Sequence, residues 1–292
     1  MRVLITGARG QLAGELLRRA PPATTVSSVS RADCDITDNL AVARVIGDFH
    51  PDTIINTAAY TAVDLAEDAR EEAFAVNAGG ARNVAAAAAG VGARVIQIST
   101  DYVFDGRQST PYAVDASPNP LNVYGTSKLE GERAVIEAAS GATVVRCGWL
   151  YSAKGNNFLR TILSRISQSE PLRVVNDQVG VPTSAREFAA FLWWLTENPS
   201  DQAIMHWANS GQASWYDFAV AIAEIARDCG MVPRTAAIEP TTTAKRPARA
   251  RRPAYSVLDA RQSWKESGTI ASDWREALAS ALGELSPASG GR

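Results

Sequence analysis

Histidine, cysteine and lysine are scarce in this chain of 292 residues, with two, three and four copies. Cys34, Cys147 and Cys229 are widely spaced and odd in number. That argues against a disulfide framework or a thiolate metal site and suits a reducing cytoplasm. His50 precedes Pro51 in a loop and His206 sits in the apolar stretch AIMHWAN, so both read as packing or surface residues. A zinc centre or a Ser-His-Asp triad has little to be built from. Proton chemistry must then use Tyr, Lys, Asp or Glu. Excess charge is lacking too: the net charge of −2 and pI near 5.8 give no reason to expect nucleic acid or an anionic membrane. The longest apolar runs, 85–91 and 188–195, are far too short to span a bilayer. The N-terminus enters a strand pattern without the layout of a signal peptide, so a cytoplasmic protein is expected.

What is present is a steady alternation. β-branched runs at 2–6, 24–29, 53–57, 94–99 and 143–147 read as buried strands. Helical spacing fills 11–20, 39–49, 69–90 and 122–139. Strand–helix alternation over about 150 residues predicts an α/β fold, a doubly wound parallel sheet with right-handed crossovers. Ligands of such sheets bind outside the carboxyl ends of the strands. Beyond Trp149 the rhythm loosens, with helices expected at 158–167, 185–196, 216–229 and 274–282 and a strand at LRVVND. This half is read as a smaller α-rich domain. The expected division is a dinucleotide-binding domain of 1–150 plus a returning segment at about 172–210. Residues 151–171 and 211–292 form the substrate domain, with a disordered tail at about 286–292.

Gly7-x-x-Gly10 directly follows the first strand and opens a helix, with Ala13 at the third small position. Such a turn lets backbone N–H groups and a helix N-terminus meet a pyrophosphate, although a plain glycine turn reads the same way in isolation. After the second strand stands Arg31, where an NAD enzyme usually places an acid. This leans toward NADPH, with NADH still open and a solvated loop arginine as the competing reading. Asp35 and Ile36 suit adenine contact, and the small Ala58 and Ala59 allow close approach after the third strand.

The fourth strand ends in Ser99-Thr100-Asp101-Tyr102, and the stretch NVYGTSK puts Tyr124 and Lys128 one helical turn apart. A nearby ammonium favours the phenolate and would lower the phenol's pKa, making Tyr124 a workable general acid. The same ammonium could hold a nicotinamide ribose, and the Thr100 hydroxyl a carbonyl oxygen. With 7 tyrosines and four lysines, chance supplies about 0.1 Tyr-x-x-x-Lys pairs in such a chain. The match favours catalysis over surface chemistry.

These residues resemble the extended short-chain dehydrogenase/reductases, and within them the dTDP-4-dehydrorhamnose reductase family. GARGQLAGEL, DITD, INTAAYTAVDLAE, VNA, STDYVFDG, YGTSKLEGE, VRCGWLY, NNF, DQVGVPTSA and RRPAYSVLD carry the resemblance over nearly the whole chain. It implies reduction of the C4 ketone of a dTDP-sugar with Thr100, Tyr124 and Lys128 as the catalytic trio. It implies Gly7, Arg9, Gly10, Gln11, Leu12, Asp35, Ile36, Ala58, Ala59 and Tyr60 around the cofactor. For the sugar nucleotide it suggests Val63, Asp64, Tyr102, Trp149 and Asn157, with Arg252 of the basic RRPAYS segment for the diphosphate. A core position is the competing reading for Trp149, and solvated loop positions for the neighbouring Lys245, Arg246, Arg249 and Arg251. Some relatives dimerise through Mg²⁺, and Glu15 matches one such position. The segment after VPTSA fits that pattern poorly, so a metal bridge is not expected, and monomer and homodimer stay open. Related readings are a ketoreductase for another deoxysugar and a sugar-nucleotide epimerase or dehydratase. The dehydratase lacks its glutamate, since Tyr102 follows Asp101. A non-catalytic regulatory subunit is disfavoured by the intact trio.

Overall fold

The computed structural model describes residues 1–168, 171–232 and 237–285; the expected disordered tail lies outside them. The first lobe runs β1 (Arg2–Thr6), α1 (Gln11–Arg18), β2 (Thr25–Val29), α2 (Asn39–Phe49), β3 (Thr53–Asn56), two short helices α3 (Val63–Ala66) and α4 (Arg70–Phe74), α5 (Ala81–Gly90), β4 (Arg94–Thr100), α6 (Val123–Ala138) and β5 (Thr143–Cys147). The chain continues through β6 (Leu150–Tyr151), α7 (Phe158–Ser167), β7 (Leu172–Val175), β8 (Val179–Gly180), β9 (Thr183–Ser184), α8 (Ala185–Glu197) and β10 (Ile204–His206). It closes with β11 (Ala213–Ser214), α9 (Trp215–Asp228), β12 (Ile238–Thr241), α10 (Arg261–Ser267) and α11 (Trp274–Gly283).

The main sheet is parallel throughout, in the order β10-β5-β4-β3-β1-β2. Its central strands are buried on both faces, which is why they read as unbroken apolar runs rather than alternating ones. Helices α1 and α8 cover one face around Leu16, Phe188 and Leu192, while α2, α5 and α6 cover the other around Ile46, Val84 and Val135. The strand order reverses direction between β1 and β3, so the crevice at their carboxyl ends is the fold's binding position. A second apolar core joins α7, α9 and α11 around Leu159, Phe218 and Leu278.

Two expectations give way here. Strand β7, assigned above to the returning segment, pairs instead with β12 and packs in the second core; only α8 and β10 return to the main sheet. The helix expected over 69–90 is broken by a π-helical stretch, Ala75–Gly80. The widened turn carries Asn77, whose amide brackets both backbone groups of Tyr60 (2.8 and 3.1 Å) and donates to Ser127 Oγ on α6 (2.9 Å). An alanine-rich pattern has no feature that marks such an insertion.

Helix α6 lies unusually close to its neighbours. A Cβ on Gly125 would stand 2.2 Å from the Tyr102 carbonyl oxygen, and one on Gly131 2.0 Å from that of Asn77. Behind the helix, Arg146 of β5 grips Glu132 through Nε (2.9 Å) and Nη2 (2.7 Å), both side chains about 2% exposed. Ser99 donates to the same carboxylate, and the Phe104 ring lies 5.2 Å under the guanidinium. His206 completes the cluster, its imidazolium disfavoured down to a pKa of about 3 by burial and by Arg146.

Gly125→Ala is expected to destabilise the fold by about 1–3 kcal/mol through overpacking against Tyr102, read as a lower urea midpoint. Glu132→Ala, which strands a buried guanidinium, is expected to cost about 3–5 kcal/mol in the same titration.

Candidate active site

The turn after β1 has the shape that a dinucleotide phosphate requires. Gly7 is in the left-handed region (φ 73°), and a Cβ there would meet the Ala58 backbone at 2.9 Å. Gly10 caps α1 without a side chain, so the first-turn N–H groups of that helix are left for an outside acceptor. Beside them opens a cavity of about 300 Å³. Gly7, Arg9 and Gly10 form one wall, Arg31, Asp35 and Ile36 another, and Ala58, Ala59 and Tyr60 the third. Arg31 stands at the rim, 71% exposed, within 3.1 Å of Asp35 and 3.4 Å of Glu72. The small walls, the bare helix start and the cationic rim fit an adenosine-phosphate half of a dinucleotide.

Two residues expected around the cofactor have their side chains engaged elsewhere, while their backbone N–H groups belong to the open first turn of α1. Leu12 is buried in the core between α1 and α8. Gln11 ties the lobes together: its amide donates to the Leu150 carbonyl (3.0 Å) and accepts from Asn157 (3.0 Å). Asn157 in turn caps α7, accepting the Arg160 N–H (3.1 Å). Glu15 is fully buried and faces Arg18 and Arg19, an arrangement that neutralises the carboxylate within its own helix. Among the described residues no cluster of His, Cys, Asp and Glu could hold a metal ion, and no helix is long and apolar enough to cross a membrane.

A larger cavity, about 650 Å³, lies between the lobes at the ends of β4 and β5. Thr100, the last residue of β4, accepts the Tyr102 N–H at 3.2 Å. Tyr124, on the first turn of α6, lines the cavity beside Thr100 and sets its ring edge-on to Tyr102, 6.0 Å away. Lys128 donates from Nζ to the Ile98 carbonyl at 2.6 Å and is 4% exposed. Burial pulls its amine down to about 8, opposed by Cys147 and by Glu132 one turn further on. The expected lowering of the Tyr124 pKa does not appear. Burial pushes the phenol above its usual range, and the Thr100 hydrogen bond is the main opposing influence. Desolvation of a phenolate outweighs any help from an ammonium committed to a backbone carbonyl.

The substrate end holds further surprises. Arg252 pairs with Asp64 at 2.7 Å, keeping that carboxyl below its usual range, and its guanidinium lies near Tyr102. Val63, Asp64, Tyr102, Trp149 and Arg252 all line the cavity. Of the basic neighbours, Arg249 pairs with Asp68 and Arg246 donates to the Arg173 carbonyl. Trp149 lines the cavity with its indole stacked on Trp215 (3.6 Å, 7°), and Gly180 lies so near that a Cβ there would come within 2.5 Å of the ring. Trp149 also holds a left-handed backbone (φ 48°), rare for a bulky residue. Trp215, Asp101 and Ser256 belong to this neighbourhood and went unassigned above; Ser256 stands inside RRPAYS, its one visible signal.

A parallel doubly wound sheet, a glycine turn at its crevice and a Tyr/Lys helix beside an interlobe cavity define an oxidoreductase-type fold of the extended short-chain class. The chain belongs to the family described as RmlD substrate binding domain, whose model matches residues 1–286. It is 39% identical over 282 residues to a dTDP-4-dehydrorhamnose reductase of Sinorhizobium fredii, covering 94% of this chain and 95% of the relative. A crystal structure of a dTDP-4-dehydrorhamnose reductase from Clostridium acetobutylicum superposes with a TM-score of 0.91 at 38% identity, covering 98% and 99% of the two chains. Another from Bacillus anthracis, in complex with NADP, also gives 0.91 at 36% identity over 97% and 99%.

Trp215→Ala removes the ring stacked on Trp149 and is expected to destabilise the fold by at least about 1 kcal/mol, read as a lower urea midpoint; an unchanged midpoint would contradict a stabilising stack.

Proposed function

We propose that the chain reduces the C4 ketone of dTDP-4-dehydro-L-rhamnose to dTDP-L-rhamnose in the cytoplasm, using NADPH in preference to NADH. The observation that carries this reading is the meeting of Thr100 and Tyr124 at the interlobe cavity, with Lys128 one turn behind. The dTDP-4-dehydrorhamnose reductases among its relatives supply the substrate class, and the NADP complex of the Bacillus anthracis protein supports the cofactor.

In this reading Gly7, Gly10 and the start of α1 hold the dinucleotide phosphates, and Arg31 meets a 2′-phosphate by exchanging its surface ion pairs for it. When bound, the nicotinamide supplies a hydride to the ketone carbon. Tyr124 gives its proton to the ketone oxygen. A phenol held above its usual pKa enters as an acid, since it stays protonated until a basic alkoxide develops beside it. Lys128, charged below its pKa of about 8, stabilises the phenolate that remains. Thr100 hydrogen-bonds the same oxygen, and Arg252 faces the diphosphate.

Mixing protein, NADPH and enzymatically prepared keto-sugar should consume the nicotinamide absorbance; no oxidation with NADPH or NADH would sink the reading. Tyr124→Phe should lower kcat by about 100-fold or more. Arg31→Ala should weaken NADPH far more than NADH, seen in kcat/KM for the two cofactors.

A further inference from the structure

Asp101 is a carboxyl group with 2% exposure whose side-chain hydrogen-bond partners, among the described residues, are hydroxyls rather than a cation. Thr100 Oγ1 lies 3.1 Å from its Oδ1, and Ser256, on the loop after Arg252, donates to its Oδ2. Gly148 closes the remaining side: a Cβ there would lie 2.6 Å from the carboxyl carbon. The group is therefore clamped between the end of β4, the end of β5 and the substrate-side loop. It touches Thr100, one of the two hydroxyls that the reductase reading needs as donors.

A hydroxyl has one proton and two lone pairs. One lone pair of Thr100 already accepts the Tyr102 N–H. An ionised Asp101 can only accept, so it takes the Thr100 proton, and the second lone pair of Thr100 is free to take the proton of Tyr124. In that state both donors point at protein atoms and neither points into the cavity. A proton on Asp101 Oδ1 reverses the chain. Asp101 then donates to Thr100, both lone pairs of Thr100 are filled, and the Thr100 and Tyr124 protons are directed to a ketone oxygen.

We propose that Asp101 works as a neutral acid that sets the direction of the Thr100 hydroxyl, a positioning residue for the reacting oxygen, with Ser256 holding it in register. This rests on the reductase reading. Burial supports it by pushing the carboxyl up to about 7, against the opposing Ser256 and Thr100 hydrogen bonds. Tyr102, Tyr124 and Cys147 also face this carboxyl. The tyrosines are held above their usual range and the thiol at about 12, so all three are uncharged near neutrality. Lys128, beyond Cys147, is the other group that changes charge nearby, at about 8.

The test compares pH profiles of kcat for the full-length wild type, Asp101→Asn, Asp101→Ala and Ser256→Ala. Wild-type kcat is expected to fall as pH rises through about 7, because the active form is the protonated one. Asparagine reproduces the neutral acid, donating from its amide to Thr100 and accepting from Ser256. Asp101→Asn should therefore lose that fall, keep the later one belonging to Lys128, and exceed Asp101→Ala in kcat at pH 6. Asp101→Ala should lose about 100-fold in kcat with KM little changed. Ser256→Ala removes a bond that favours the carboxylate, so its fall should move to higher pH. An Asp101→Asn enzyme with the wild-type profile, or one as slow as the alanine variant, overturns the proposal. Wild-type turnover alone judges the reductase reading. Infrared difference spectra of the protein without substrate, wild type against Asp101→Asn, read the carboxyl band directly. A carboxylate band that persists from pH 8 down to pH 5, with no protonated carboxyl appearing, overturns the proposal even if no turnover is found.

Discussion

Helix α6 reaches the end of the sheet only because it carries glycine at the two places where it meets carbonyl oxygens. Gly125 faces Tyr102 and Gly131 faces Asn77 at distances no Cβ tolerates. Backbone against backbone leaves the helix little freedom to slide or roll. The Glu132–Arg146 pair pins the same helix to β5 from behind. Two charges inside a protein are costly unless every hydrogen bond is made, and here Ser99 and the Phe104 ring help complete the environment. Tyr124 and Lys128 inherit their positions from these contacts.

The same packing sets the electrostatics. Close burial raises the Tyr124 and Tyr102 phenols, the Cys147 thiol and the Asp101 carboxyl together, and lowers the Lys128 amine. The cavity end of β4 is thus a place where neutral donors prevail and one weakly held cation remains. Proton direction there follows from which lone pairs are already taken, more than from any strong ion pair. Charge is kept at the far side, where Arg252 and Asp64 meet in a half-buried pair.

The second lobe is joined to the first by polar and aromatic contacts rather than by a shared sheet. Gln11 bonds Leu150 and Asn157, and Trp149 stacks on Trp215 at the start of α9. A left-handed backbone at a tryptophan costs energy, and the stack together with the bare Gly180 surface holds it in place. Strain of this kind beside a cavity is consistent with a wall built to a particular shape.

The local patterns of the chain determined much of this. Apolar runs specify buried parallel strands, Gly7 and Gly10 specify the crevice turn, and scarce lysine singles out the Tyr124–Lys128 pair, because each signal is a matter of spacing within a few residues. Only the tertiary structure decided what depends on distant partners. The π-helical break at Asn77 exists for Tyr60 and Ser127. The pairing of β7 with β12 joins strands 66 residues apart at Arg173 and Glu239. The side chains of Gln11 and Asn157 meet across 146 positions. The raised pKa of Tyr124 likewise reflects the total burial around it, a quantity summed over the whole fold that no short motif carries.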